Sequence, residues 1–336
     1  MLQEHGGKGL RVLENLKKLA YERNQVELLE SGAYHPIFPL IPQNDVIKQL
    51  ELNKEIKKRV FGQNYKPLGI FPPELALDSR QIEIFSRMGY KYSLVSEYAV
   101  NGIGYNQLPF IKIHGERFFI IRRIRYLSND LGFRHFHTIS EFVNSIRNFS
   151  TNKNSVAVIG MDWETFGEHH TDYIDFLIQG LSNLETITLT EYITHMTDAK
   201  SLIEIKEEDI IASSWSTDPQ DIEHKIPYPL WDHPKNTLHN LILTLLDILE
   251  QAIGLVDKKD IPINFYKSQQ SCQLWWCART GAPDLIKRAT TFQVDTLEEL
   301  SKRIEKYSSE RKKAIGSLLF VAKKLNQKIL TLIDLN

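Results

Sequence analysis

Acidic and aromatic side chains stand just after the apolar runs of this sequence. They are Tyr34-His35-Pro36, Pro72-Pro73-Glu74, Glu97, Asp130, Asp162-Trp163-Glu164 and Ser214-Trp215. Where strands alternate with helices, the residues that follow strand ends share one opening, because the loops there converge. Two carboxyl groups at such an opening can divide the work of cleaving a glycosidic bond. One attacks or stabilises the sugar cation while the other protonates the departing oxygen. Aromatic rings, Trp above all, stack on the apolar faces of sugars. Glu97 closes the run KYSLVSE and Asp162 follows VAVIGM, so both are candidates for that pair. Asp162 and Glu164 straddle Trp163 at the edge of an apolar core, where an unpaired charge costs several kcal/mol. Stability alone gives little reason for them. A Glu after a strand is more often a loop or helix-cap residue, so Glu97 by itself carries less weight.

Other chemistries find weaker support. NGIGYN (101–106) has neither the GxGxxG nor the GxxxxGK[ST] spacing, so no phosphate cradle is expected. His169 and His170 are adjacent, and adjacent side chains on a helix diverge by about 100 degrees, too far to share one ion readily. His135 and His137 share a strand face at i, i+2, which alone is weak ground for a metal. Cys272 and Cys277 cannot make a disulfide framework and lack the partner pairs of a zinc site. No metal and no organic cofactor are expected. Trp275 and Trp276 face different directions on a helix, so one suits a core and the other an opening.

The elements that must position these residues follow from periodicity. Helices are expected over 9–22, 45–60, 75–88, 139–148 and 171–182, and strands over QVELLESG, LGIF, KYSLVSE, PFIKIHG, RFFIIRRIRY, SVAVIGMDWE and TITLT. That alternation predicts an α/β architecture of parallel βαβ units over residues 1–200. A Trp- and Pro-rich connection, 201–235, contributes to the opening. From residue 236 to 336 only helical periodicity remains, over 236–253, 260–280 and 296–333, which predicts a helical domain. Forty-one Lys and Arg against forty-two Asp and Glu give no electrostatic reason to bind nucleic acid or an anionic membrane. No apolar run reaches the ~18 residues of a membrane span, and the start MLQEHGGKGLRVLEN has no signal-peptide h-region. A cytoplasmic location is the expectation.

Several segments, in order, are similar to one known family. VELLESGAYHPIFPLIP, GIFPPE, GYKYSLVSE, LSNDLGFR, MDWETFGEHH, SSWST, PYPLW and SQQSCQLWW resemble the α-glucan-active glycoside hydrolases of family 57, in the α-amylase-like branch. The resemblance spans about residues 9 to 280. It implies a (β/α)7-type barrel followed by a C-terminal helical domain, and a retaining mechanism on α-glucans or maltooligosaccharides. Within it Glu97 matches the nucleophile, Asp162 the general acid/base and Glu74 the glutamate of the second conserved segment. His35, Trp163, Glu164, Trp215 and Trp276 fall at sugar-contacting positions. Asp162 must stay protonated before the first step, which burial beside Trp163 and repulsion from Glu97 would favour. The family's opening strand, with its His-Gln-Pro segment, has no counterpart in this sequence. The expectation is therefore a barrel incomplete by its first strand. Two other classes compete: a glucan-binding relative without turnover, and a metal-dependent carbohydrate deacetylase whose Asp/His/His cluster could come only from the His169-His170 neighbourhood.

Overall fold

A computed structural model of the chain describes residues 6–149, 155–166, 168, 170–278 and 283–335. They form two compact units, Met1–Glu30 with Asn53–Trp215, and Ser31–Leu52 with Ser216–Asn336.

The first unit is α/β. Among the described residues its ladders join five strands: β1 (Gly69–Ile70), β2 (Tyr92–Val95), β3 (Leu108–Ile113), β4 (Glu116–Arg122) and β5 (Leu202–Glu204). Their order is β1-β2-β4-β3-β5. All pairs are parallel except β3 with β4. That exception is a hairpin whose two-residue turn, His114 and Gly115, has φ of 51° and 85°. Positive φ at both central residues gives the twist that suits two adjacent strands. Gly69 is required where β1 passes Tyr92, since a Cβ there would meet the ring at 2.0 Å. The sheet's core gathers Leu75, Tyr92, Leu94, Leu108, Ile121, Val158, Tyr192 and Met196. A second cluster, around Ile124, Leu127, Phe136, Phe142 and Tyr173, lies under the helices Arg125–Gly132, Ile139–Phe149 and Ile174–Leu181.

Three expected strands come out differently. QVELLESG makes a single bridge, Glu30 with Ile70. TITLT is the approach to the helix Leu189–Asp198, because Thr188 and Glu191 form a capping box that outweighs the β-branched content. SVAVIGMDWE belongs to no ladder over its described residues, 155–164. It is pinned by a main-chain bond from Ile124 to Val158 (2.8 Å) and by two side chains, Ser128 and Arg123, at Gly160.

The second unit is helical. The helix Thr237–Gly254 packs on Ser309–Leu335, and Pro283–Arg303 packs on Ile263–Ser268 and Cys272–Ala278. Asn236 caps the first of these by accepting from Leu238 and His239. His239 is fully buried, with its two ring nitrogens on His233 N–H (3.1 Å) and the Leu274 carbonyl (2.8 Å). Burial holds that imidazole below its ordinary pKa, as a neutral core group. The expected helix over 296–333 is interrupted around Tyr307, whose hydroxyl donates to Asp260 (2.5 Å). No described helix is long and apolar enough to cross a membrane.

Candidate active site

Glu97 is delivered by β2. The strand ends at Val95, Ser96 is buried with its hydroxyl 2.8 Å from that of Ser213, and Glu97 opens a one-turn helix, Glu97–Ala99. Its carboxylate accepts from the Tyr105 hydroxyl. Tyr105 is itself held: the Arg122 guanidinium lies 4.6 Å from its ring and donates to the Ile103 (2.7 Å) and Gly104 (2.9 Å) carbonyls. Burial and the Glu97 carboxylate both raise the Tyr105 pKa, so the phenol keeps its proton and remains a donor.

Glu74 follows β1 after two prolines. Glu74 and Leu75 have φ of 60° and 50°, a left-handed pair of non-glycine residues. Such a backbone costs on the order of 1–2 kcal/mol per residue and survives only where the surroundings impose it. Here Leu75 and Leu77 are fully buried, Leu77 bridges to Ser213, and the Trp215 N–H donates to the Glu74 carbonyl at 3.0 Å. The Trp215 side chain also hydrogen-bonds the Glu74 carboxylate. Burial, and secondarily the charge of Asp162, push the Glu74 carboxyl up to about 7, against that bond. Glu74 thus shares its proton with solvent near neutrality.

Asp162 comes from the segment that makes no ladder. Its carbonyl accepts from Thr165 N–H (3.2 Å), starting the one-turn helix Trp163–Thr165. The Asp162 side chain is exposed rather than buried, which departs from the expectation that burial keeps it protonated. Glu164 is exposed and its carbonyl accepts from Glu168. His169 and the side chain of Trp163 lie outside the described residues. His170 packs edge-on to Tyr173 at 6.0 Å, and exposed His135 pairs with Asp130 at 3.0 Å.

The structure therefore groups Glu74, Asp162 and Trp215 electrostatically, with Arg123 facing the charges of both Glu97 and Asp162. Trp215 stands edge-on to Phe71 (6.3 Å) and under the Arg123 guanidinium (5.6 Å). His35 and Trp276 belong to the second unit. His35, at φ 55°, shares a hydrogen bond of 2.9 Å with Ser271, and Trp276 is half-buried on the helix Cys272–Ala278.

Sequence reasoning missed Arg122, Arg123 and Tyr105. The signal was present: two arginines at the end of the apolar run RFFII place charge at a core edge, the same argument that singled out Asp162.

The chain is similar to several known proteins. The chain is 26% identical over 227 residues to a putative α-amylase of Methanocaldococcus jannaschii, covering 63% of this chain and 47% of that protein. It is 25% identical over 161 residues to an α-amylase of Pyrococcus horikoshii, covering 46% of this chain and 24% of that one. The chain thus spans about a quarter to a half of the curated relatives it matches. Its fold matches the crystal structure of a 4-α-glucanotransferase from Thermococcus litoralis with a TM-score of 0.65, at 17% identity over 90% of this chain and 51% of the other. A GH57-type branching enzyme from Pyrococcus horikoshii matches with a TM-score of 0.60, at 15% identity over 95% of this chain and 72% of the other. The profile of glycosyl hydrolase family 57 matches residues 2–213, and the chain belongs to that family.

Proposed function

We propose that this protein acts on α-glucans as a retaining glycoside hydrolase or transglycosylase, with Glu97 as nucleophile and Asp162 as acid/base. The observation that supports the reading is Arg123, buried, which donates to the main chain two residues before each carboxylate: its N–H to the Val95 carbonyl and its Nε to the Gly160 carbonyl. Relatives named α-amylase and 4-α-glucanotransferase support the substrate class. Glu97 attacks the anomeric carbon as protonated Asp162 gives its proton to the glycosidic oxygen, the C–O bond breaks, and a glycosyl ester forms on Glu97. Asp162, now a base, takes a proton from water or from a sugar hydroxyl, whose oxygen displaces Glu97 with net retention. Such a mechanism needs the two carboxyl groups about 5–5.5 Å apart. Glu74, with its own proton near neutrality, and Trp215 bind substrate, as do Trp163 and Glu164.

The test is reducing-sugar release and chain-length redistribution with maltooligosaccharides, for the wild type, Glu97→Gln and Asp162→Asn. Turnover that survives in both variants at the wild-type rate removes the assigned roles. Tight maltooligosaccharide binding with no turnover in the wild type identifies a non-catalytic relative instead.

A further inference from the structure

Arg123 is joined to both segments that carry the reacting carboxyls. Its main-chain N–H donates to the Val95 carbonyl at 3.0 Å, two residues before Glu97. Its side-chain Nε donates to the Gly160 carbonyl at 2.6 Å, two residues before Asp162. Nη2 donates to Asn129 Oδ1 at 2.8 Å, and the guanidinium carbon lies 5.6 Å over the ring of Trp215, which in turn bonds Glu74. The residue is 6% exposed. The arginines beside it in sequence do other work: Arg122 fixes the Tyr105 loop, and Arg125, which opens the next helix, lies on Tyr98 with Nη1 3.2 Å from its hydroxyl.

A structural role alone asks less than this. Arg123 supplies a ladder-like connection where residues 155–162 have no strand partner, and it does so with a charged group. Arginine suits the place because its rigid fork can donate in two directions while its face stacks on an indole. Burial lowers its pKa to about 10, so it stays a cation at any working pH.

We propose that Arg123 is a positioning residue for the reaction, one that sets Asp162 against Glu97 through Gly160 and Val95 and supplies a positive charge near both. This rests on Glu97 and Asp162 being the reacting pair. Misplacing a reacting group by about 1 Å costs on the order of 10²-fold in rate.

Three variants test it: Arg123→Met, Arg123→Lys and Asn129→Ser. In Arg123→Met, kcat on maltooligosaccharides falls about 10²-fold with KM changed less than about threefold. Both limbs of the kcat/KM pH profile also move to higher pH, because a cation that favours ionised carboxylates has gone. Arg123→Lys keeps the charge but not the fork, so kcat falls while the limbs stay where they are. Asn129→Ser, which frees one donor only, loses less than either. A kcat for Arg123→Met near wild type overturns the proposal, and so does a loss of kcat with unmoved limbs, which a merely structural role gives. Should Arg123→Met fail to fold by circular dichroism, a wild-type kcat in Arg123→Lys overturns it equally. If the wild type turns nothing over, NMR titration of the Asp162 carboxyl carbon decides: the same midpoint in wild type and Arg123→Met ends the idea. Full activity in Glu97→Gln and Asp162→Asn removes the reacting pair itself. Inactive carboxylate variants beside unaffected Arg123 variants remove only this proposal.

Discussion

The strand that delivers Glu97 and the segment that delivers Asp162 leave the same apolar interior, but β2 is fixed by main-chain ladder bonds to β1 and β4, and residues 155–162 by one main-chain bond, from Ile124, and by the side chains of Ser128 and Arg123. Ladder bonds are indifferent to side-chain identity. The Glu97 arm therefore tolerates substitution along its length provided the apolar pattern holds. The Asp162 arm depends on Arg123 and Ser128, two residues from a different stretch of sequence. Two carboxyl groups with nominally equal parts in one reaction should then respond unequally to changes around them.

The largest effects come from removing the carboxylates, and leaving-group chemistry separates the two. Asp162→Asn is expected to lose about 10²–10⁴-fold on maltooligosaccharides, the usual worth of general acid–base catalysis. An aryl maltoside with an acidic phenol needs little protonation to depart, so Asp162→Asn should recover most of its first-step rate on it. Glu97→Gln should not, since the ester cannot form on an amide. Burst kinetics on the aryl substrate measure this, and recovery in Glu97→Gln without recovery in Asp162→Asn reverses the assigned roles.

The next effect concerns Glu74, which Asp162 faces. Its folded pKa, about 7, is above the 4.5 of an ordinary Glu. The neutral form is therefore the one the fold prefers. Its contribution to stability is complete below pH ~4.5 and is lost as pH rises through about 7, to a total on the order of 2–3 kcal/mol. Glu74→Gln should flatten that part of the stability profile in urea unfolding measured from pH 4 to 8. Asp162→Asn should shift it to lower pH, since the nearby charge contributes to the elevation. An unchanged profile in Glu74→Gln means that another group titrates there.

What the sequence made legible divides along the same line. The helices Gln43–Phe61, Ile139–Phe149 and Thr237–Gly254, and strands β2, β3 and β4, follow periodicity because burial on one face dictates it. Glu97 and Asp162 could be located because polar groups at the ends of apolar runs are costly without a use. VAVIGM reads as a strand since its residues are apolar and β-branched, but its hydrogen bonds come from Ile124, Ser128 and Arg123. Periodicity carries no trace of such partners. TITLT shows the converse case: the capping box Thr188–Glu191 was written in the residues, and the β-branched composition around it pointed elsewhere.

Ser128 allows the side-chain arm to be loosened without touching a charge. Fully buried, its hydroxyl donates to the Ile124 carbonyl at 2.6 Å and accepts from Gly160 N–H at 3.2 Å. Ser128→Ala leaves that amide without its partner, at a cost of about 1–3 kcal/mol in thermal or urea unfolding. Maltooligosaccharide turnover should fall with it, and turnover of the activated aryl maltoside much less. A proportional loss on both substrates means that Ser128 supports the whole unit and not the Asp162 arm.

The smallest expected effect tests the ladder-held side. Tyr105→Phe removes a hydroxyl that donates to Glu97 but leaves β2, Ser96 and the Arg122 fork in place. Tyr105 is half-buried, so water can replace part of what the phenol gave. A hydrogen bond to a charged group is worth about 1.5–3 kcal/mol when nothing replaces it. With solvent at hand the expected loss is roughly 3–10-fold in kcat/KM, about 0.7–1.4 kcal/mol and so below that range. It should be the same on maltooligosaccharides and on the aryl maltoside, because the nucleophile serves both. A larger loss on the maltooligosaccharide would tie Tyr105 to the proton-transfer arm, and the contrast between a backbone-held nucleophile and a side-chain-held acid would then fail.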